Sequence, residues 1–159
     1  MHIENILDSL LENFTLVHQT GADEEYGDYD RLVKKARSNY IVRKHIEESE
    51  IGFLYNKCDF VISRAGANTI WELIAIKKPS ILVPLPWSGQ GEQWANAGFL
   101  MSNRVAETFD QKEKSDVLLN LVESVSLNLN KYKKNFANLS NYKTYGVAEK
   151  IVKEILSEI

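Results

Sequence analysis

An anion-binding turn is the first piece of chemistry that the residue types and spacing of this sequence predict. Small residues follow an apolar run at 60–62 and lead into a helical pattern, in the order Ser63-Arg64-Ala65-Gly66-Ala67-Asn68-Thr69. Because Ala65, Gly66 and Ala67 lack bulk, a ligand can approach the main chain there. The N–H groups of the last three residues of the segment open a helix, where they have no intrahelical partner and favour a phosphate.

Glu72 lies one turn inside the predicted helix. A carboxylate at such a position can accept hydrogen bonds from two vicinal hydroxyls, as an acidic residue beside a nucleotide pocket does with a ribose. The structural alternative is that Glu72 complements the helix dipole or caps the turn. The spacing alone does not separate these two interpretations.

Gln93 and Asn96 form a second group of polar side chains, in a helical pattern after the loop at 87–91. Residues three apart share a helix face, and each amide is both a donor and an acceptor, so the pair can bind sugar hydroxyls. The structural alternative is N-terminal capping of that helix together with a polar face turned to solvent.

No residue stands out as a general base. His18 is the strongest candidate among the three histidines, but it lies in a strand pattern, which favours a structural role. Cys58 is the only cysteine, and no cluster of Cys and His has the spacing of metal ligands. We therefore predict no metal site and leave the catalytic residues unassigned.

Composition narrows the classes of function. The net charge of −3 and the pI of about 5.7 give no broad basic field, so we predict no nucleic-acid partner. Apolar runs are no longer than strands and residues 1–10 carry no basic stretch, so neither a spanning helix nor a signal peptide is predicted. A single cysteine fits a reducing compartment, and the expected location is the cytoplasm.

Helical and strand patterns alternate along the chain, and no repeat or low-complexity linker interrupts them. Strands are predicted at 15–20, 40–46, 60–63, 80–86 and 105–109, with helices between them, including helices over 69–77 and 92–102, and two or three helices at the C-terminal end, the last at 147–156. Because parallel strands need crossover connections, this order predicts an α/β fold with a Rossmann-like parallel sheet and helices on both faces. We expect one domain over residues 1–159, with ligands at the carboxyl ends of the strands.

These motifs together resemble the donor-binding half of the MurG family, the peptidoglycan N-acetylglucosaminyltransferases of the GT-B superfamily. The resemblance covers nearly the whole chain, in matching order and spacing. It is carried by the 63–72 segment, Val17-His18-Gln19-Thr20-Gly21, Val83-Pro84-Leu85-Pro86, Gln93 with Asn96-Ala97, and Ala148-Glu149-Lys150-Ile151.

The resemblance implies a donor and a role for several residues. The donor is UDP-GlcNAc, a substrate and not a cofactor, and the family needs no metal. Glu72 is expected to hold the ribose, Gln93 the GlcNAc hydroxyls, and backbone groups near Ile46 the uracil. The diphosphate and sugar are expected at the turn. The implied donor-binding set is Ile46, Arg64, Ala65, Gly66, Ala67, Asn68, Thr69, Glu72, Gln93 and Asn96.

The implied reaction transfers GlcNAc, with inversion, to a lipid-linked muramyl-pentapeptide at the inner face of the cell membrane, where the enzyme is peripheral. Family members carry a strand, a glycine-rich phosphate loop and an acceptor domain before the helix that starts here near Ile3, and this sequence lacks all three. We therefore expect a part that is inactive alone and meets its acceptor through a missing N-terminal domain or a partner chain. Losing a central strand leaves unpaired backbone, so marginal stability or self-association is also expected.

Two other hypotheses remain at this point. The chain can instead be the catalytic subunit of a two-chain UDP-GlcNAc transferase with a membrane-anchored partner, a class with a similar turn and glutamine helix. It can also be a non-catalytic module that binds nucleotide sugars. Arg64 and the 17–21 segment favour the first hypothesis.

Overall fold

The computed structural model describes residues 2–21, 26–142 and 146. The chain forms two compact units. Unit 1 comprises Met1–Cys58 and Lys112–Asn120, and unit 2 comprises Asp59–Gln111 and Leu121–Ile159. The helix predicted at 147–156 and the motif at 148–151 lie outside the described residues.

Unit 1 alternates helices with two short strands. Its elements in chain order are α1 (His2–Asn5), α2 (Leu7–Asn13), β1 (Leu16–Gln19), α3 (Asp28–Leu32), a 3-10 turn (Val33–Lys35), β2 (Tyr40–Arg43) and α4 (Glu48–Lys57). The two strands run parallel, with Leu16 opposite Tyr40.

Unit 2 contains three strands and most of the remaining helices. Its elements are β3 (Val61–Ser63), α5 (Ala67–Ala75), β4 (Ser80–Leu82), a 3-10 turn (Gly89–Gly91), α6 (Glu92–Ser102), β5 (Ala106–Thr108), α7 (Ser115–Leu127, which begins in unit 1), α8 (Leu129–Asn135) and a 3-10 turn (Phe136–Leu139). No helix among the described residues is long and apolar enough to cross a bilayer.

The strands are parallel, as the alternation of patterns predicts, but they form two sheets and not one continuous sheet. One sheet has the order β1-β2 and the other the order β3-β4-β5. A sheet continues only through strands that pair on both sides, and among the described residues β4 alone does so. The outer edges of the other strands have no ladder partner in the described part of the chain.

Each unit has its own apolar core. In unit 1 the helices cover one face of β1-β2, with a core of Leu7, Leu11, Leu32, Tyr40 and Val42. In unit 2 the core joins the sheet to helices α5 and α6 and to the Phe136–Leu139 turn, and it includes Ala65, Ile70, Leu73, Leu82, Ala97, Leu100 and Phe136. The residues predicted to bind the donor sugar and diphosphate all belong to unit 2.

Candidate functional site: the turn before helix α5

Helix α5 begins directly after the small-residue turn, two residues earlier than the sequence pattern predicts. Gly66 is its N-cap, with an extended backbone (φ −66°, ψ 150°), and the N–H of Ile70 donates the first intrahelical bond to the Gly66 carbonyl at 3.0 Å. The N-cap makes no side-chain hydrogen bond. The N–H groups of Ala67, Asn68 and Thr69 therefore have no intrahelical acceptor and can bind an anion.

Burial of one face holds α5 in place. Ile70, Leu73 and Ile74 follow helical spacing, and all three are buried in the core of unit 2. The helix closes at its other end because Lys77 takes a left-handed conformation (φ 51°), which lets the N–H of Lys78 donate to the Leu73 carbonyl at 2.9 Å. The turn is thus the start of a packed helix and not part of a free loop.

Glu72 is exposed on α5, beyond the first turn of the helix. This position rules out the capping interpretation, because the first turn of α5 contains no acidic residue and its N-cap has no side-chain partner. The Glu72 carboxylate makes no hydrogen bond or ion pair with the residues that the structure describes. It is available to accept hydroxyl groups from a ligand.

Arg64, immediately after β3, crosses the carboxyl ends of the sheet. Its Nη1 group donates to the Val83 carbonyl at 3.2 Å and to Oε1 of Gln111 at 2.8 Å. Partial burial lowers the pKa of the guanidinium from its ordinary value, although arginine keeps its charge at any physiological pH. Gln111 is missing from the predicted site because the sequence carries no local signal for it: it lies 47 residues from its partner.

Gln93 and Asn96 do share a face of α6, and both are bonded to backbone groups of other loops. Gln93 Oε1 accepts the N–H of Leu85 at 3.0 Å, and Asn96 Nδ2 donates to the carbonyl of Ala65 at 3.0 Å. Neither side chain simply faces solvent, and α6 has Gly91 as its N-cap without a side-chain bond, so the interpretation as caps is wrong. Asn96 thereby fixes the turn from a second side.

Ile46 belongs to unit 1, in the loop between β2 and α4. Its N–H donates to Oε1 of Gln19, at the end of β1, at 3.0 Å. A side chain at the end of β1 therefore contacts the loop that follows β2. For the Ile46 N–H to pair with a uracil, this bond has to be exchanged.

His18 lies on β1 and contacts the core of unit 1. Its Nδ1 is 3.0 Å from the hydroxyl of Tyr40, a fully buried residue. Burial lowers the pKa of His18 and raises that of Tyr40, so the neutral form of each is favoured. The contact supports the structural role over the role of a base.

Metal ligands give no competing site in the described ranges. No group of three or more His, Cys, Asp or Glu residues there can hold a metal ion. A shallow cavity of about 300 Å³ in unit 1 is lined by Glu4, Asp8, Lys35 and Arg37. Glu4 forms an ion pair with Lys35, and Asp8 with Arg37, so these charges already have partners.

Comparison with known proteins shows the family of the chain. The C-terminal domain of glycosyltransferase family 28 matches residues 3–155. The chain is 35% identical over 96% of its length to a protein from Prochlorococcus marinus strain MIT 9515, and 33% identical over 92% to one from P. marinus subsp. pastoris. Both are named UDP-N-acetylglucosamine--N-acetylmuramyl-(pentapeptide) pyrophosphoryl-undecaprenol N-acetylglucosamine transferase.

The fold has a counterpart among solved structures. The crystal structure of Acinetobacter baumannii MurG matches 98% of this chain with a TM-score of 0.73 at 23% identity, and the match covers 46% of that protein. The chain spans 44% and 42% of the two curated relatives, which is less than half of their length. The resemblance to the MurG family is confirmed, and the chain belongs to glycosyltransferase family 28, whose C-terminal domain it matches.

Proposed function

We propose that this chain is the donor-binding part of an N-acetylglucosaminyltransferase that uses UDP-GlcNAc. The observation that carries the proposal is the start of α5, where three N–H groups lack intrahelical acceptors and an exposed carboxylate, Glu72, lies farther along the same helix. An anion site followed by a hydroxyl acceptor matches a diphosphate joined to a ribose. The names of the relatives supply the sugar and the nucleotide.

The diphosphate is the group for which the turn is best suited. In this proposal its negative charge is bound by the N–H groups of Ala67, Asn68 and Thr69 and by the positive end of the α5 dipole. Ala65 and Gly66 have no bulk to keep it away, and no metal or other cofactor takes part. When the sugar C1–O bond breaks, the same groups stabilise the charge that develops on the leaving UDP.

The other parts of the donor are assigned by chemistry. Glu72 accepts the ribose hydroxyls, and the Gln93 amide group is assigned to GlcNAc hydroxyls through its nitrogen, since its oxygen already accepts the Leu85 N–H. Uracil is assigned to backbone groups of Ile46. Arg64 and Asn96 act at the turn through the contacts described above.

The acceptor is assigned to the rest of the enzyme, because the chain spans less than half of its relatives. We propose a lipid-linked muramyl-pentapeptide as the acceptor, at the inner face of the cell membrane. Its hydroxyl oxygen bonds to C1 of GlcNAc with inversion, the hydroxyl proton passes to a base, and UDP leaves with the bonding electron pair. The base and the acceptor contacts come from an N-terminal domain or a partner chain.

Calorimetric titration of UDP and 2′-deoxy-UDP tests the ribose assignment. Glu72→Ala is expected to weaken UDP binding about tenfold, or roughly 1.4 kcal/mol. The same variant is expected to bind 2′-deoxy-UDP much like the wild-type chain, because one of the two hydroxyls is already gone. Glu123→Ala, which removes another exposed helical glutamate of unit 2, is the matched control.

Comparing UDP with UDP-GlcNAc tests the sugar assignment. Gln93→Ala is expected to weaken UDP-GlcNAc and to change UDP binding far less. No binding of UDP or UDP-GlcNAc by a folded wild-type chain would contradict donor binding by this part alone. Equal losses for both ligands in Gln93→Ala would show that Gln93 acts only by holding the loop at Leu85.

A further inference from the structure

The side chain of Arg64 joins the segments that follow all three strands of the unit 2 sheet. Arg64 follows β3 directly, Val83 follows β4 directly, and Gln111 lies three residues beyond the end of β5. One nitrogen, Nη1, donates to acceptors on both of the other segments. Because Arg64 is the residue before Ala65, its position fixes where the small-residue turn begins.

The segment that carries Gln111 is itself anchored. The N–H of Phe109 donates to the Leu82 carbonyl at 2.8 Å, which continues the ladder between β5 and β4 by one residue. Gln111 is only two residues past this bond. Its side-chain oxygen therefore accepts from Arg64 at a place that the sheet defines.

Both acceptors of Arg64 are neutral oxygens, one from a backbone carbonyl and one from an amide. A carboxylate in either place would also hold the guanidinium, and would bind it more tightly, but it would cancel its charge. A neutral amide holds the guanidinium in place and leaves its positive charge uncompensated. A glutamine at position 111 therefore has an advantage over a glutamate if the positive charge of Arg64 acts on a ligand.

We propose that Gln111 is a positioning residue that holds Arg64 across the strand ends through a neutral acceptor and leaves the guanidinium charge to attract the diphosphate of the donor. The electrostatic half of this inference rests on the proposed function. The positional half does not, because it concerns the turn in the absence of any ligand.

Hydrogen–deuterium exchange on the free 159-residue chain tests the positional half. Gln111→Ala is expected to speed exchange across residues 64–70 about threefold to tenfold, whereas Gln111→Glu keeps an acceptor for Arg64 and stays close to wild type. Exchange in β4 reports whether the sheet remains folded in each variant. Glu113→Ala, an exposed neighbour, is the control for the segment.

Calorimetric titration with UDP at low and moderate salt tests the electrostatic half. Gln111→Glu is expected to bind UDP at least about threefold more weakly than wild type and to lose part of the salt dependence, despite its intact turn. Asn130→Asp adds the same charge on the exposed face of α8 and controls for net charge. Gln111→Ala is also expected to weaken UDP binding, but with the salt dependence of wild type.

The outcomes separate the two proposals. Unchanged exchange in Gln111→Ala overturns the positioning role, whether or not any nucleotide binds. Wild-type affinity for UDP in Gln111→Glu overturns the electrostatic role. A wild-type chain that binds no UDP contradicts the proposed function and with it the electrostatic half, and the exchange data still decide the positional half.

Discussion

The two sheets of this protein bury their strands in different ways. All three residues of β4, the middle strand of unit 2, are buried, and the neighbouring strands are at least half-buried. In unit 1, burial alternates along β1 and β2, so that Val17 and Ile41 lie opposite each other and are both exposed. One sheet is covered on both faces, and the other is covered on one.

Residue types alone do not explain the difference. Apolar residues are also adjacent in β1 and β2, as Leu16-Val17 and Ile41-Val42, yet Val17 and Ile41 are exposed because the helices of unit 1 cover only the other face of their sheet. The proposed diphosphate-binding turn follows a strand of the unit 2 sheet, and side chains from neighbouring segments hold it on two sides. Rigid support of this kind keeps donor-binding groups in place before the ligand arrives.

The largest effect is expected from the middle strand of unit 2. Leu82→Ala removes a fully buried side chain from the core and is expected to lower the free energy of unfolding of that unit by about 2–5 kcal/mol. Urea denaturation monitored by hydrogen exchange measures the loss. Leu127→Ala, at a residue 85% exposed, is expected to change stability by less than about 0.5 kcal/mol. Equal losses of unfolding free energy in the two variants would show that burial in the middle strand does not determine the stability of unit 2.

The next effect concerns the bond that holds the turn from α6. Asn96→Ala leaves the carbonyl of Ala65, a fully buried residue, without its side-chain donor. The free energy of unfolding is expected to fall by about 1–3 kcal/mol. Exchange should rise at residues 64–70 more than in β4. Asn130→Ala, at an exposed position, is the control. A uniform rise over all of unit 2 would mean that Asn96 stabilises the fold and not the turn.

The third prediction uses pH to address unit 1 alone. Burial lowers the pKa of His18 below the ordinary 6.5, partly opposed by the charge of Asp28, so the unfolded chain binds its proton at a higher pH than the folded one. Stability due to His18 is therefore full above pH 6.5 and is lost as the pH falls below it. His18→Gln should flatten the pH dependence of the stability of unit 1, measured by hydrogen exchange of its amides and corrected for the intrinsic effect of pH on exchange. An unchanged slope between pH 7 and 5.5 would contradict the assignment.

The smallest effect is expected on the exposed face of unit 1. Ile41→Thr keeps a β-branched side chain at an exposed position of β2 and should change the free energy of unfolding by less than about 0.5 kcal/mol. Ile81→Thr, the matched change in β4, buries a hydroxyl and is expected to cost about 1–3 kcal/mol. Denaturation curves of the two variants compare the sheets directly. A large loss in Ile41→Thr would show that this face is covered in solution.

Local periodicity was enough to place most elements. Helix α6 has the bounds that its pattern predicts, and the predicted strands contain the observed ones, which are shorter at one or both ends. The predicted start of α5 was late by two residues because Ala67 and Asn68, small and polar, look like part of the turn. The strands end earlier than predicted because a ladder of hydrogen bonds stops where the partner strand turns away. The local sequence of one strand does not contain the position of that turn.

The sequence by itself determined the fold class, the family and the small-residue turn, because apolar spacing and a run of small residues are local properties of the chain. Only the tertiary structure decided how the strands divide into two sheets, which of the polar side chains are already bonded, and that Gln111 contacts Arg64. Gln93, Asn96 and Arg64 all bond to backbone or side chains that are distant in sequence. Whether a polar side chain is free for a ligand depends on such distant partners, which only the folded chain brings within hydrogen-bond distance.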